Sequence, residues 1–525
     1  LRLDAPFNGL CELDGAIYGT EYRNLHRLGL EGTWGWPTRN PGRWAPGELP
    51  SFHLTHGPLP FWANVLFQKL VAVGATPMPE WSVRAVPVLS AALAPLFLFG
   101  VVRRLADARR AWVAAILAAF LPSTVWFSQA ASCHFSFLFL LVLAGCWSYL
   151  RWREVPSPGR LVLLALLSWA SIWSLWEGLY LLPMLTAFHF LTRGPRPWRF
   201  AIVSGVFFLL CAGALWFYAS RLPGAGSLVD RAASRMQGVP WLLLLGKLCW
   251  KTALYHTLAA AGLAVSALFL IRKTSSIWKV WIWLWLAWTL ADVLLLRNYW
   301  FHLIYSVYPG FVFVSCAAAE AWIRLWDRRR SLAWILLLLC AAQSAWVLQR
   351  RHAQQRGYPL SQDLSASVKG RLAFGEDLLV AFRVDEDHVA FYADARVVGG
   401  IDSPEALERA VREHPGRRFR YLVTVDPEAV EPLLKPTGTL GRFLPAGLRE
   451  RTGGGSPEER LRAFGISPAE DPFRAWLRLN YRALEAPPFT YFDLEAGPPA
   501  SGARSPAPSR PAPAGAPGMS PGCSP

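Results

Sequence analysis

Long apolar runs broken by short basic clusters fill the first 350 positions, and they predict membrane-crossing helices. A span needs about 20 mostly apolar residues. Such runs lie at about 82–102, 111–131, 135–150, 161–176, 178–192, 200–218, 252–271, 279–296, 304–323 and 331–348. That makes ten spans. The chain opens at Leu1 on a polar stretch without a signal peptide, and a further span ahead of it would make eleven. The breaks alternate in charge. Loops 103–110, 151–160, 192–199, 272–279 and 324–330 hold 17 Lys and Arg; the alternate loops hold six, namely Arg221, Arg231, Arg235, Lys247, Lys251 and Arg297. Cytoplasmic loops carry the basic excess. The first set is therefore expected in the cytoplasm, with residues 1–81 and those after 350 outside a cytoplasmic (inner) membrane.

Within 1–81 the pattern shortens. Asp14 to Gly29 reads as a helix, with Asp14 as N-cap and Gly29 as stop. Ile17, Leu25 and Leu28 share one face, and Arg23, Asn24 and Arg27 another. Residues 59–73 form a second apolar helix ended by Gly74, too short to span and expected to lie on the outer membrane surface. After 350 the period changes. DLLVAF (377–382), HVAFY (388–392), ARVVGG (395–400) and RYLVTV (420–425) read as strands, and SPEALERAVREH (403–414) as a capped amphipathic helix. The tail from 497, rich in Pro, Gly, Ser and Ala, cannot build a core and is expected to be disordered. The expected organisation is an outer loop at 1–81, a multi-span region at 82–348, a small α/β extracytoplasmic domain at 350–496, and the tail at 497–525. The fold class is thus an α-helical polytopic membrane protein with a small α/β C-terminal domain.

Composition sharpens this division. Of 525 residues, 53% are hydrophobic and 17% charged, against about 25% charged in a soluble domain. Mean hydropathy is +0.26. Of 27 Trp, all but Trp476 precede residue 350, and Trp favours membrane interfaces. WIWLWLAW (281–288) is accordingly read as lipid-facing and interfacial. The net charge of +17 lies in short clusters between apolar runs, which points to anionic lipid and excludes nucleic acid as the partner. The eight Cys show no CxxC or metal-like spacing, so neither a disulfide framework nor structural zinc is expected.

Several segments have an order that carries chemistry: ELDGAIYGTEYRNLHRLGL (12–30), THGPLPFW (55–62), Arg84 opening the next span, WFSQAASCHFSFLF (126–139), LWEGLYLLP (175–183) and RNYWFHLIYSVYP (297–309). In this order they resemble the GT-C membrane glycosyltransferases, the protein-mannosyltransferase-like group (families 39 and 83) that includes bacterial aminoarabinose and Rgt-type transferases. The similarity covers roughly 1–350. It implies an enzyme that takes a sugar from a polyprenyl-phosphate donor and moves it to a lipid, glycan or protein acceptor outside the cytoplasmic membrane. It also maps the first-loop acidic residue of the group, a base or acceptor-positioning group, onto Asp14. Related enzymes often carry an acid in the second outer loop, near His134 or Phe135. Here no carboxylate lies between Asp107 and Glu154. A two-carboxylate metal site is therefore not expected, and no required cofactor is expected, with a divalent metal left open.

The residues themselves allow that chemistry. Glycosyl transfer needs a base for the acceptor hydroxyl and cations for the departing phosphate. Asp14 is the candidate base, with helix capping as its other reading; Glu12 is the fallback carboxylate. Arg297, His302, Arg221 and Lys251 are candidate phosphate partners, with solvated loop charge or headgroup contact as the alternative. His56 precedes Gly57-Pro58 and either meets substrate or caps a turn. His134 and Glu177 stand at outer ends of spans, where ionisable groups are functional suspects. Asp292, inside a Trp-rich span, reads equally as a buried structural or functional partner. Two other classes stay open: a polytopic transporter or lipid flippase, and a relative that binds lipid-linked sugar without turnover.

Overall fold

The computed structural model describes residues 13–38, 52–53, 56–74, 78–129, 133–222, 233–271, 276–302, 304–354, 359–368, 371–372, 376–382, 386–414, 417–427 and 472–496. The chain divides into two compact units: residues 1–362 with 387–394, and residues 363–386 with 395–525.

The first unit is helical. It begins with α1 (Leu13–Gly32) and α2 (Leu59–Leu70). The apolar helices follow: α3 (Glu80–Leu105), α4 (Ala108–Phe120), α5 (Pro122–Gln129), α6 (Cys133–Glu154), α7 (Pro158–Ile172), α8 (Leu181–Leu191) and α9 (Pro197–Ser220). After them come α10 (Trp241–Tyr255), α11 (Leu258–Leu270), α12 (Ser276–Leu295), α13 (Arg297–His302), α14 (Gly310–Arg328) and α15 (Arg330–Gln354). Five of these are long and apolar enough to cross a membrane; counting each bent pair as one span raises the number to seven. The chain is a multi-pass membrane protein.

Several expected spans are broken. The run at 111–131 is α4 and α5, bent by 44°, where Pro122 cannot continue the hydrogen-bond ladder. The run at 161–176 is a 15-residue helix followed by a 3₁₀ turn at Trp176–Tyr180. The run at 252–271 is part of a pair, α10 and α11, that turns through 114° around Thr257, whose φ is +63°. The run at 304–323 is a turn at Ile304–Val307 followed by α14, separated at Pro309.

Ion pairs show which helix ends meet. Arg104 at the end of α3 pairs with Glu154 at the end of α6 at 3.1 Å. Arg109 pairs with Asp327 at 2.7 Å, and Arg110 with the fully buried Glu320 at 2.6 Å. Glu320 also takes Arg324 at 2.6 Å and the Trp278 indole N–H at 3.1 Å. Arg153 donates to the Thr192 hydroxyl at 2.6 Å. The basic loops 103–110, 151–160, 192–199 and 324–330 therefore share one end of the helices. At the other end of α3 and α6, Arg84 meets the end of α5 and His134 meets α1.

The tryptophan run in α12 corrects the sequence reading. Trp278, Trp281, Trp285 and Trp288 are buried, and only Trp283 turns outward at 43% exposure. Their spacing of three and four residues puts them on one helix stripe. Trp285 and Trp288 stack with centroids 5.0 Å apart and pack against Phe139 of α6.

In the second unit β1 (Glu376–Val380), β2 (Val397–Val398), β3 (Arg418–Val425), β4 (Arg482–Ala486) and β5 (Phe489–Asp493) form one sheet in the order β2-β1-β3-β5-β4. β1 runs parallel to β2 and β3, while β5 runs antiparallel to β3 and β4. A helix at Pro404–Glu413 starts as the sequence indicates: Ser403 accepts from the Ala406 amide at 3.1 Å. Leu407 and Ala410 of that helix, with Phe473 and Leu477 of the helix at Pro472–Asn480, cover Leu379, Leu422 and Phe492 of the sheet. HVAFY (388–392) is not a strand. It lies in a helix, Glu386–Ala393, because an apolar run of five carries no decisive period and its packing decides. Glu12 and the tail from 497 lie outside the described residues.

The stripe carries a test. Trp285→Ala is expected to destabilise the protein by about 3–5 kcal/mol through the cavity it leaves. Trp283→Ala is expected to stay within about 0.5 kcal/mol of the parent. Thermal unfolding in detergent measures both, and equal shifts would contradict the assigned faces.

Candidate active site

The site begins with a helix whose first half has no exposed face. From Gly15 to Leu25 every residue of α1 is buried, including Glu21, Arg23 and Asn24. Small residues at 15, 16 and 19 let neighbours approach closely. The expected polar face of Arg23 and Asn24 is thus a buried one, since buried charges persist when paired. The Asn24 amide donates to the Thr38 carbonyl at 2.8 Å, and Thr38 bridges to Phe52. Gly29, at φ +69°, marks a kink in α1 where the sequence indicates a stop.

His53 and residues 56–58 pack against α1. His53 Nδ1 contacts Glu21 Oε1 at 2.7 Å, and the Trp36 indole N–H donates to the His53 carbonyl at 2.9 Å. The Tyr18 hydroxyl and His56 Nε2 are hydrogen-bonded at 3.1 Å. Gly57 is required by space: an added Cβ would lie 2.0 Å from the Trp173 carbonyl oxygen. Its amide donates to Ser174 at 3.2 Å, and the Leu59 amide to Trp173 at 3.2 Å. Pro58 then caps α2, which ends at Leu70 with a left-handed Ala72 rather than at Gly74.

His134, in the first turn of α6, completes the cluster. Its ring stacks on His56 at 4.4 Å, meets Tyr18 edge-on at 4.4 Å and lies 4.8 Å from Phe61. His53 stacks on Tyr18 at 5.8 Å and meets His56 edge-on at 5.0 Å. Arg84, 1% exposed, donates from Nε to the Gln129 carbonyl at 2.9 Å. Among the described residues no group of three His, Cys, Asp or Glu is placed to hold a metal ion.

A second group of buried polar side chains sits on other helices of the same unit. Glu177 of the 3₁₀ turn and Asp292 of α12 lie within electrostatic reach of each other and of Arg235. The Trp300 indole N–H donates to Asp292 Oδ2 at 2.8 Å. Lys251 is buried, and its ammonium donates to the Trp300 carbonyl and to the Ser306 hydroxyl, the latter at 3.4 Å.

The sequence candidates therefore fall into different places. His56 and His134 are brought together with Tyr18, and Glu177 is brought near Asp292. Lys251 is engaged with the carbonyl of Trp300. Arg297 opens α13 with its guanidinium 4.7 Å over the Trp241 ring; among the described residues its Nε has no hydrogen-bond partner. Arg221 is exposed at the end of α9, over Phe217 at 4.6 Å. Asp14 lies in the first turn of α1 and His302 ends α13; their side chains lie outside the described residues. Sequence reasoning missed Glu21 and His53. For Glu21 a signal existed: positions 14, 18 and 21 share one helix face by their spacing. His53 carried none, because only the chain reversal before α2 brings it to Glu21.

No protein-family model matches the sequence, and no curated protein does. Solved structures do match. The crystal structure of ArnT from Cupriavidus metallidurans bound to undecaprenyl phosphate superposes with a TM-score of 0.56 at 15% identity, covering 83% of this chain and 92% of that one. Its apo state gives 0.54, at 15% identity, 83% and 91%. The archaeal oligosaccharyltransferase AglB from Archaeoglobus fulgidus, in complex with an inhibitory peptide and a dolichol-phosphate, gives 0.52 at 11% identity, covering 94% of this chain and 71% of that one. At such identities the likeness is one of fold, and the fold of this chain is the GT-C fold of those membrane glycosyltransferases.

Proposed function

We propose that the protein is an integral membrane glycosyltransferase that moves a sugar from a polyprenyl-phosphate donor to an acceptor on the extracytoplasmic side. The observation that carries this reading is the buried cluster of Tyr18, Glu21, His53, His56 and His134, built from the first loop and the start of α6 at the helix end opposite the basic loops. The neighbours in fold support the donor class, being bound to undecaprenyl phosphate and to a dolichol-phosphate. A transporter needs its polar groups near the bilayer midplane; here they gather at helix ends.

The reaction breaks the bond between the anomeric carbon and the phosphate oxygen, and the electron pair leaves with the polyprenyl phosphate. The acceptor oxygen bonds the anomeric carbon, and its proton passes to a carboxylate of α1. In this reading Asp14 is that carboxylate. Glu21, held by His53, is the second carboxylate of the helix, and His56 and His134 line the substrate. Fixed cations offset the charge of the departing phosphate. Lys251 is already engaged with Trp300, so Arg297 is the leading cation, with Arg221 and His302 beside it in the assignment. In this reading no metal is required. The second unit lies on the extracytoplasmic side of the inner membrane in this reading.

Purified protein in nanodiscs, given a panel of radiolabelled polyprenyl-phosphate sugars, is expected to transfer label to an added acceptor; no transfer from any donor would sink the proposal. Asp14→Asn keeps the size of the side chain while removing its charge, and is expected to lose about 10²–10⁴-fold in turnover. Full activity there, with loss in Glu21→Gln, would move the base to Glu21. Chelation by EDTA is expected to leave the rate unchanged.

Arg297→Ala is expected to weaken both turnover and donor binding, and Arg297→Lys to restore part of each, since the two-pronged grip is lost. Normal kinetics in Arg297→Ala would place the phosphate elsewhere. For orientation, Glu31→Cys and Glu408→Cys, each in a cysteine-free background, are expected to react with an impermeant maleimide in intact cells. Labelling only after the membrane is opened would reverse the proposed sidedness.

A further inference from the structure

The segment Asp387–Asp394 belongs to the first unit, although the chain on either side of it belongs to the second. It docks on the face of α1 that carries Gly19, Arg23 and Arg27, spaced four residues apart. Arg23 donates from Nη1 to the Phe391 carbonyl and from Nη2 to the Ala390 carbonyl, both at 2.8 Å. These carbonyls are among the last four of their helix, which have no partner inside it. Cations are also favoured there by the helix dipole. Asp394, just past the helix end with φ +54°, closes the contact: it pairs with Arg23 at 3.0 Å and with Arg27 at 2.6 Å. The Phe391 ring lies against Gly19, where an added Cβ would come within 2.3 Å of it. The Tyr392 hydroxyl donates to Glu80 at the start of α3 at 3.0 Å.

The opposite face of α1 carries Tyr18 and Glu21, which meet His56 and His53. In a helix the two faces turn together, because each residue is fixed at about 100° from the next. A tether on one face therefore sets the roll of the other. Arg23 is 3% exposed, and its three partners lie more than 360 residues downstream. We propose that Arg23 is a positioning residue, and that the tether Asp387–Asp394 holds α1 in the roll that presents its carboxylate face to the substrate. The inference rests on the transfer reading above for its catalytic consequence, but not for its structural one.

Two measurements separate these. Hydrogen exchange of peptides covering 13–28 reads the tether without any activity. Arg23→Ala and Asp394→Ala are each expected to speed exchange there by tenfold or more, and the double variant to be no worse than either alone, since the partners act as one unit. Gly19→Ala, which displaces the Phe391 ring without removing a charge, is expected to give the same signature. In the transfer assay these variants are expected to lower kcat by about 10- to 100-fold, the scale of a misplacement near 1 Å, with the donor KM within about twofold. Arg23→Lys is expected to recover part of kcat through its ion pair to Asp394.

Unchanged exchange in all three variants would overturn the tether. Faster exchange with an unaltered kcat would overturn the positioning role. An inactive parent protein with the exchange pattern as expected would sink the transfer reading and leave the tether standing. Should Arg23→Ala fail to fold, Gly19→Ala and Arg23→Lys carry the same comparison.

Discussion

The loop end of this protein depends on one constraint: α1 is buried on every side from Gly15 to Leu25 while carrying charge. A buried carboxylate or guanidinium is costly unless it is paired. Each of the charges on α1 described here meets that condition, Glu21 through His53 and Arg23 through Asp394 and two carbonyls. The helix can be enclosed this closely because Gly15, Ala16 and Gly19 leave room for its neighbours. Gly57 does the same for the strand of chain that brings His56 to Tyr18. Burial pulls the Arg23 guanidinium down to about 10, with Asp394 opposing, so it stays charged at neutral pH.

The helices below provide the frame. One end is tied by arginines to Glu154, Asp327 and the buried Glu320. The other end is left to Arg84, His134 and Glu177. Between them the packing is aromatic to an unusual degree, with the tryptophan stripe of α12 against Phe139 and Phe188. In a bilayer, where apolar burial alone gives helices little reason to associate, such packing and the polar contacts at helix ends hold the bundle. Asp292 at the end of α12 and the Trp300 indole of α13 are joined by a hydrogen bond rather than left to lipid.

The second unit follows different rules. Its sheet is part parallel and part antiparallel, with the hairpin of β4 and β5 added to the edge of β3. Arg420 pairs with Asp493 across β3 and β5 at 2.8 Å, and Arg418 and Arg420 both reach Glu495. Those pairs hold Glu495 at about 2, well below the usual carboxylate range. The pairs are exposed, so they favour the register rather than supply much stability.

Period and spacing in the sequence determined the helices of the first unit, the basic bias of alternate loops and the capped helix after Ser403. These are local properties, read within one or two turns of chain. The GT-C fold was legible because several weak segments occur in one order, from Asp14 through Arg84 to Pro309. Tertiary structure alone decided the rest. HVAFY became a helix because two of its carbonyls meet Arg23, and β4, built from Arg, Ala, Leu and Glu, became a strand because β5 pairs with it. The same Trp run that suggests a lipid face was turned inward by the stripe it forms with Trp278. His53 reached Glu21 across 32 positions, and Asp394 reached Arg23 across 371. No periodicity encodes such meetings, because they depend on where the chain reverses and on which buried charge requires a partner.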